Sequence, residues 1–147
     1  MATPDEVVEY ARTWKGTRWI HQGRTASGID CAGLLIMIVN NFEEVEGGDM
    51  LGYRRDPGRR FLRHVKQFTD PVRPLRPVHG AIGVFHDTVM PCHTGLFAVD
   101  SKTGTVTVIH SEAYPKQRVH EQLYSEGSNP LSERLVDIRY FRGVDYG

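Results

Sequence analysis

The sequence predicts an α+β domain in which helices come first and an antiparallel sheet follows. Three observations predict it. Apolar residues recur at helical spacing through the first half of the chain, and from Gly80 onward they fall in short β-rich runs separated by turn residues. A total of 147 residues also suits a single domain, 1–147, because two independent cores would each be too small to bury much surface. Helices first and strands afterwards is the α+β pattern.

The elements follow in order. Thr3, Pro4 and Glu6 open a helix: Thr3 as N-cap, Pro4 where no N–H is needed, and Glu6 reaching back to complete a capping box. Val7, Val8, Ala11 and Trp14 share one face of it, and Gly16 ends it. A glycine-rich loop runs through Gly28. Asp30 then caps a helix that starts at Cys31 and carries the aliphatic run Leu34–Val39 through to Phe42. Residues 43–49 are acidic and broken by glycine, hence a loop. Phe61, Leu62, Val65 and Phe68 predict a third short helix over 59–68, and Pro71, Pro74 and Pro77 an extended crossing. Strands are predicted at 81–86, 93–99, 105–110, 118–124 and 135–142.

Composition narrows the function. Eighteen basic residues balance eighteen acidic ones, which argues against a general polyanion binder, so no nucleic-acid partner is expected. Leu34–Val39 is far too short to span a membrane, and the acidic opening Met1–Glu6 lacks the pattern of a signal peptide. Neither a Walker-type loop nor a Rossmann fingerprint occurs, since the glycines at 23–28 do not follow a strand. Arg54, Arg55, Arg59, Arg60, Arg63 and Lys66 outweigh Asp56 in one segment. It reads either as a solvated helix face balancing the acidic loop before it or as a grip for an anionic polymer or a neighbouring protein.

Two cysteines cannot build a disulfide framework, and a cysteine accompanied by histidines reads as chemistry. Cys31 sits where the unpaired N–H groups and positive dipole end of a helix favour a thiolate. The competing reading is a packed core cysteine. The turn Asp100-Ser101-Lys102-Thr103-Gly104 joins two strands. If Val99 pairs with Gly104, His93 falls directly opposite His110, both rings on one face, as a base and its orienting partner. Cys31, Cys92, His93 and His110 are ligand types for zinc, but adjacent Cys92 and His93 point to opposite sheet faces and no metal-ligand spacing occurs. No metal and no cofactor are expected, and Cys92 reads as packed behind the sheet.

Gly16-Thr17-Arg18-Trp19, the glycine loop, Gly28-Ile29-Asp30-Cys31-Ala32-Gly33-Leu34, His93-Thr94-Gly95-Leu96-Phe97 and Ile109-His110-Ser111, in that order, closely resemble the NlpC family of papain-like cell-wall cysteine peptidases. The resemblance covers most of the chain. His21-Gln22-Gly23-Arg24 is similar to the branch of that family found in phage tails and gene-transfer particles. Three positions depart from the family's habit: Trp19 stands where tyrosine is common, Ala32 where serine usually follows the nucleophile, and Gly80-Ala81 where Gly-Asp is favoured.

The resemblance implies a papain-like fold, with N-terminal helices packed on a central antiparallel sheet. It implies Cys31 as nucleophile, His93 as general base and acid, and His110 as the residue orienting His93, with Trp19, His21 and Asp30 near the substrate. The implied substrate is the peptidoglycan stem peptide, foremost its D-glutamyl–diaminopimelate bond. Phage-tail hub or tip proteins are the implied partners. The implied location is a virion or particle tail tip, assembled in the bacterial cytoplasm and acting on the cell wall. A structural tail-tip module with the same fold and little turnover is the alternative.

Overall fold

Thr3 begins the first helix with the reciprocal bonds its sequence dictates. Its Oγ1 accepts from the Glu6 N–H at 3.1 Å, and Glu6 Oε1 accepts from the Thr3 N–H at 3.0 Å. The computed structural model describes residues 1–53, 58–86 and 91–147, the side chains of 58, 91 and 92 excepted. Helix α1 (Pro4–Arg12) buries Val7, Val8 and Ala11 and ends at the C-cap Thr13, earlier than the expected stop at Gly16, which at φ +91° closes the turns that follow. A two-stranded ribbon, β1 (Arg24–Thr25) with β2 (Gly28–Ile29), then leads into helix α2 (Cys31–Asn41). Its first six residues, Cys31 to Ile36, are all buried, so α2 is a core helix rather than an amphipathic one.

Helix α3 (Gly58–Gln67) is the amphipathic counterpart. Phe61 and Val65 enter the core, while Arg59, Arg60, Arg63 and Lys66 lie in solvent. Arg54, Arg55 and Asp56 of the same basic segment lie outside the described residues, as does the Cys92 side chain. Among the described residues no helix is long and apolar enough to cross a membrane.

Six strands form one antiparallel sheet: β3 (Thr69–Pro71), β4 (Ile82–His86), β5 (Pro91–Val99), β6 (Val106–Glu112), β7 (Arg118–Leu123) and β8 (Leu135–Phe141), in the spatial order β3-β8-β4-β5-β6-β7. β3 is the part of the proline-rich crossing that pairs, and it does so on an edge, where Pro71 interrupts no second ladder. Alternation along the strands separates two apolar layers. Leu96 and Ile109 pack with the buried faces of the helices, and Phe85, Phe97 and Val108 pack with Leu131 and Ile138 in a second cluster.

The β5–β6 register corrects the sequence expectation. Asp100 pairs with Thr105 (N to O, 2.9 Å), so the loop is Ser101–Gly104 rather than Asp100–Thr103. Asp100 Oδ1 accepts from the N–H groups of Lys102 and Thr103, and Gly104 takes φ +74°, so both residues serve the turn. Val99 consequently pairs with Val106, and Leu96 with Ile109. Moving the loop by one residue moves the register by two, which keeps every side chain on its expected face. His93 and His110 therefore share a face but stand diagonally, not directly opposite.

Candidate active site

The start of α2 is anchored by one carboxylate. Asp30, 3% exposed, caps the helix by accepting from the Gly33 N–H at 2.8 Å. It also accepts from the Gln22 N–H at 2.8 Å, from Arg24 Nη1 at 3.0 Å and from the Tyr53 hydroxyl. Four donors thus occupy two oxygens. Arg24 is itself held by Asp49 and by the Met50 carbonyl. Burial and the bond to Asp30 push the Tyr53 hydroxyl up, so it remains a proton donor. The carboxylate, expected near substrate, anchors the loop and helix that present Cys31.

Cys31 is 7% exposed and not disulfide-bonded. Two hydroxyls tie its segment to the sheet: Thr94 Oγ1 donates to the Cys31 carbonyl at 3.3 Å, and Ser111 Oγ donates to the Ile29 carbonyl at 2.7 Å. These hydroxyls belong to the residues directly after His93 and His110. Strand alternation points Thr94 and Ser111 toward the helix and turns the two imidazoles to the other face.

Those imidazoles are bonded to each other. His93 Nε2 lies 2.7 Å from His110 Nδ1, with ring centroids 4.9 Å apart and planes at 78°. His110 is fully buried, and its Nε2 lies 2.8 Å from Gln122 Oε1. A carbonyl oxygen only accepts, so His110 carries its proton on Nε2 and offers the Nδ1 lone pair. His93 must then donate from Nε2, which leaves its own Nδ1 as a lone pair. Gln122 thereby sets the tautomer of both rings. Burial, then the charges of Arg134 and His120, push the His93 imidazole down to about 4, so it is neutral near pH 7.

Gly95 makes room for this diagonal bond. Continuing the β5–β6 register sets it beside His110, where an added Cβ would stand 2.6 Å from Val108 Cγ1 and 3.0 Å from His110 Cβ.

A cavity of about 1350 Å³ is lined by Cys31 and His93 together, with Trp19 and Asp30 beside them and Glu112, His120, Gln122 and Arg134 on the strand side. Trp19 stacks on His21, centroids 6.4 Å apart, and His21 packs edge-on against Tyr53. His21 is exposed and touches the cavity wall through Trp19. The structure thus gathers Cys31, His93, His110, Trp19 and Asp30 at one place, with His21 one ring further out. Gln122, Thr94, Ser111 and the Arg24–Tyr53 pair were not singled out by sequence. Gln122 lies on β7 two residues from His120, the partner of His110, so alternation would have found it once the β6–β7 register was known.

No family model and no curated protein matches the sequence. Solved structures do. A NlpC/P60 family protein from Bacillus cereus superposes with a TM-score of 0.67 at 18% identity, over 95% of this chain and 40% of that one. This chain therefore spans less than half the length of that protein. The fold is that of the NlpC/P60 proteins. The NlpC/p60 domain of the peptidoglycan hydrolase SagA gives 0.63 at 15% identity, over 95% of this chain and 98% of that domain. Three helices and a six-stranded antiparallel sheet thus form a papain-like α+β NlpC/P60 fold, as the sequence predicts.

Proposed function

We propose that this chain is a cysteine endopeptidase of the cell wall, cleaving amide bonds in peptidoglycan stem peptides. The observation that carries the proposal is the single cavity lined by both Cys31 and His93, with His110 bonded to His93 from behind. His93 Nδ1 takes the Cys31 proton as the sulfur attacks the amide carbonyl carbon, and the Cys31 N–H stabilises the oxyanion. The C–N bond breaks as His93 returns that proton to the leaving amine, giving a thioester. Water, deprotonated by His93, then hydrolyses the thioester and frees the thiol. His110, bonded to His93 Nε2, steadies the imidazolium in both steps.

The NlpC/P60 neighbours, one of them a peptidoglycan hydrolase, support the wall as substrate source, and the family resemblance favours the D-glutamyl–diaminopimelate bond. The segment His21–Arg24 supports a role in a phage tail tip or gene-transfer particle, assembled in the cytoplasm and bound to hub or tip proteins. Digestion of purified sacculi, with fragments identified by mass spectrometry, tests the bond: new termini at that amide are expected, and cleavage at glycosidic bonds overturns the reading. Iodoacetamide labelling of Cys31 in the folded chain near neutral pH is expected. Labelling only after denaturation favours a structural module of the same fold. Presence of the chain in purified particles tests the location.

A further inference from the structure

Beside the histidine pair lies a second cluster that the proposed chemistry does not use. His110 and His120 are directly opposed across β6 and β7, ring centroids 4.5 Å apart. Glu112, two residues beyond His110 on its strand, turns to the same face. One donor atom from each of the three lies within 4.8 Å of the other two. His120 Nε2 is buried without a hydrogen-bond partner: Glu112 Oε1 stands 3.3 Å away but is not aligned as an acceptor. An imidazole nitrogen left so is costly unless something else satisfies it.

Two imidazoles and a carboxylate, held by paired strands, form a donor set that suits zinc with a fourth position open. Glu112 and His120 also line the cavity, which gives an ion its way in. We infer that His110, Glu112 and His120 form a binding site for a divalent first-row transition ion, Zn²⁺ above all, and that the ion switches off the neighbouring base.

The inhibitory half rests on the proposed peptidase reading and follows from the two nitrogens of His110, both already engaged. An ion at Nε2 displaces Gln122 and leaves the proton on Nδ1. His93 Nε2 then faces an N–H, must accept, and carries its own proton on Nδ1, the position that receives the Cys31 proton in the reaction. An ion at Nδ1 removes the bond to His93 outright. Either mode takes away the base in its working tautomer.

The test is calorimetric titration of the intact, metal-stripped chain with Zn²⁺, using Mg²⁺ as a hard-ion control and Co²⁺ for its visible absorption. One Zn²⁺ per chain, tetrahedral Co²⁺ bands and no Mg²⁺ binding are expected. Glu112→Gln and His120→Ala, each checked for folding by circular dichroism, are expected to weaken Zn²⁺ binding at least about tenfold, and Cys31→Ser to leave it unchanged. Absence of saturable Zn²⁺ binding, or binding that survives both substitutions and disappears in Cys31→Ser, overturns the site. In turnover assays Zn²⁺ is expected to inhibit reversibly, relieved by EDTA, with Glu112→Gln raising the inhibition constant by the same factor as the dissociation constant. Undiminished turnover with the site filled overturns the inhibitory role. A chain that binds Zn²⁺ through these residues but cleaves no stem peptide overturns the proposed function and leaves the site standing.

Discussion

Asp30 and His110 are both polar groups sealed inside the protein, 3% and 0% exposed, and they are treated in opposite ways. Asp30 has both oxygens taken, by a guanidinium, a hydroxyl and two backbone N–H groups, and fixes where α2 begins. Burial, and then competition with the neighbouring His93 and His120 imidazoles for a proton, holds His110 well below the ordinary histidine range, so it stays neutral and has one proton and one lone pair to direct. The contrast teaches a division of labour. A network that fixes a position works best when every lone pair is taken, whereas one that moves a proton has to leave one open at its end, here on His93.

The sharpest way to break the comparison is at its two reacting ends. Cys31→Ala and His93→Ala are each expected to lower kcat on a soluble stem peptide to background, on the order of 10⁶-fold by the precedent of nucleophile and base knockouts. Asp30→Ala comes next and acts on stability. It removes the cap of α2 and one of the two carboxylates on the largely buried Arg24 guanidinium, leaving Asp49, and the expected loss is about 1–3 kcal/mol in urea denaturation. Asp30→Ala with unchanged stability would remove Asp30 as the anchor.

His110→Ala is expected to cost roughly tenfold to ten-thousandfold in kcat, according to how far packing alone holds His93. The double variant His93→Ala/His110→Ala should be scarcely worse than His93→Ala, because the two act as a unit. Losses that multiply would make His110 a bystander. Gln122→Leu is expected to lower kcat about tenfold by freeing the tautomer of His110, with Gln122→Glu, which keeps an acceptor, recovering part of the loss.

The smallest expected effect is on pH. With His93 held near 4, kcat/KM should persist well below pH 6 and fall toward pH 4. Arg134→Gln removes a positive charge that opposes protonation, so the acid limb should move upward, by less than about one unit. Stability carries the same sign. The unfolded chain protonates this imidazole first, near its ordinary value of about 6.5, so stability is lost as pH falls from there toward 4.

Much of this was legible in the sequence because it is written locally. The Thr3–Glu6 capping box, the Asp30 cap and the alternating strands each declare themselves within a few residues. What stayed hidden depends on partners far apart in the chain. Tyr53 lies 23 residues beyond Asp30, past helix α2 and the irregular backbone that follows it, and no periodicity announces their contact. The ribbon β1–β2 is too short to carry an alternating pattern, and β3 borrows its strand character from β8. The β5–β6 register failed by one loop residue because Asp100 and Gly104 fit the turn in either frame. The face assignment survived, since moving a hairpin loop by one residue changes its register in steps of two.

The bare Cα at position 95 has a consequence for protein design. Transplanting a base and its orienting partner onto another hairpin is usually conceived as placing two imidazoles. Here the transplant needs three positions, because the partner's Cβ and the Val108 side chain crowd the spot on the neighbouring strand where a third side chain would begin. A scaffold offered both histidines but an alanine at that spot should hold them apart, each well folded and the two unacquainted. His-x-Gly is then as much an instruction about what to omit as about what to supply.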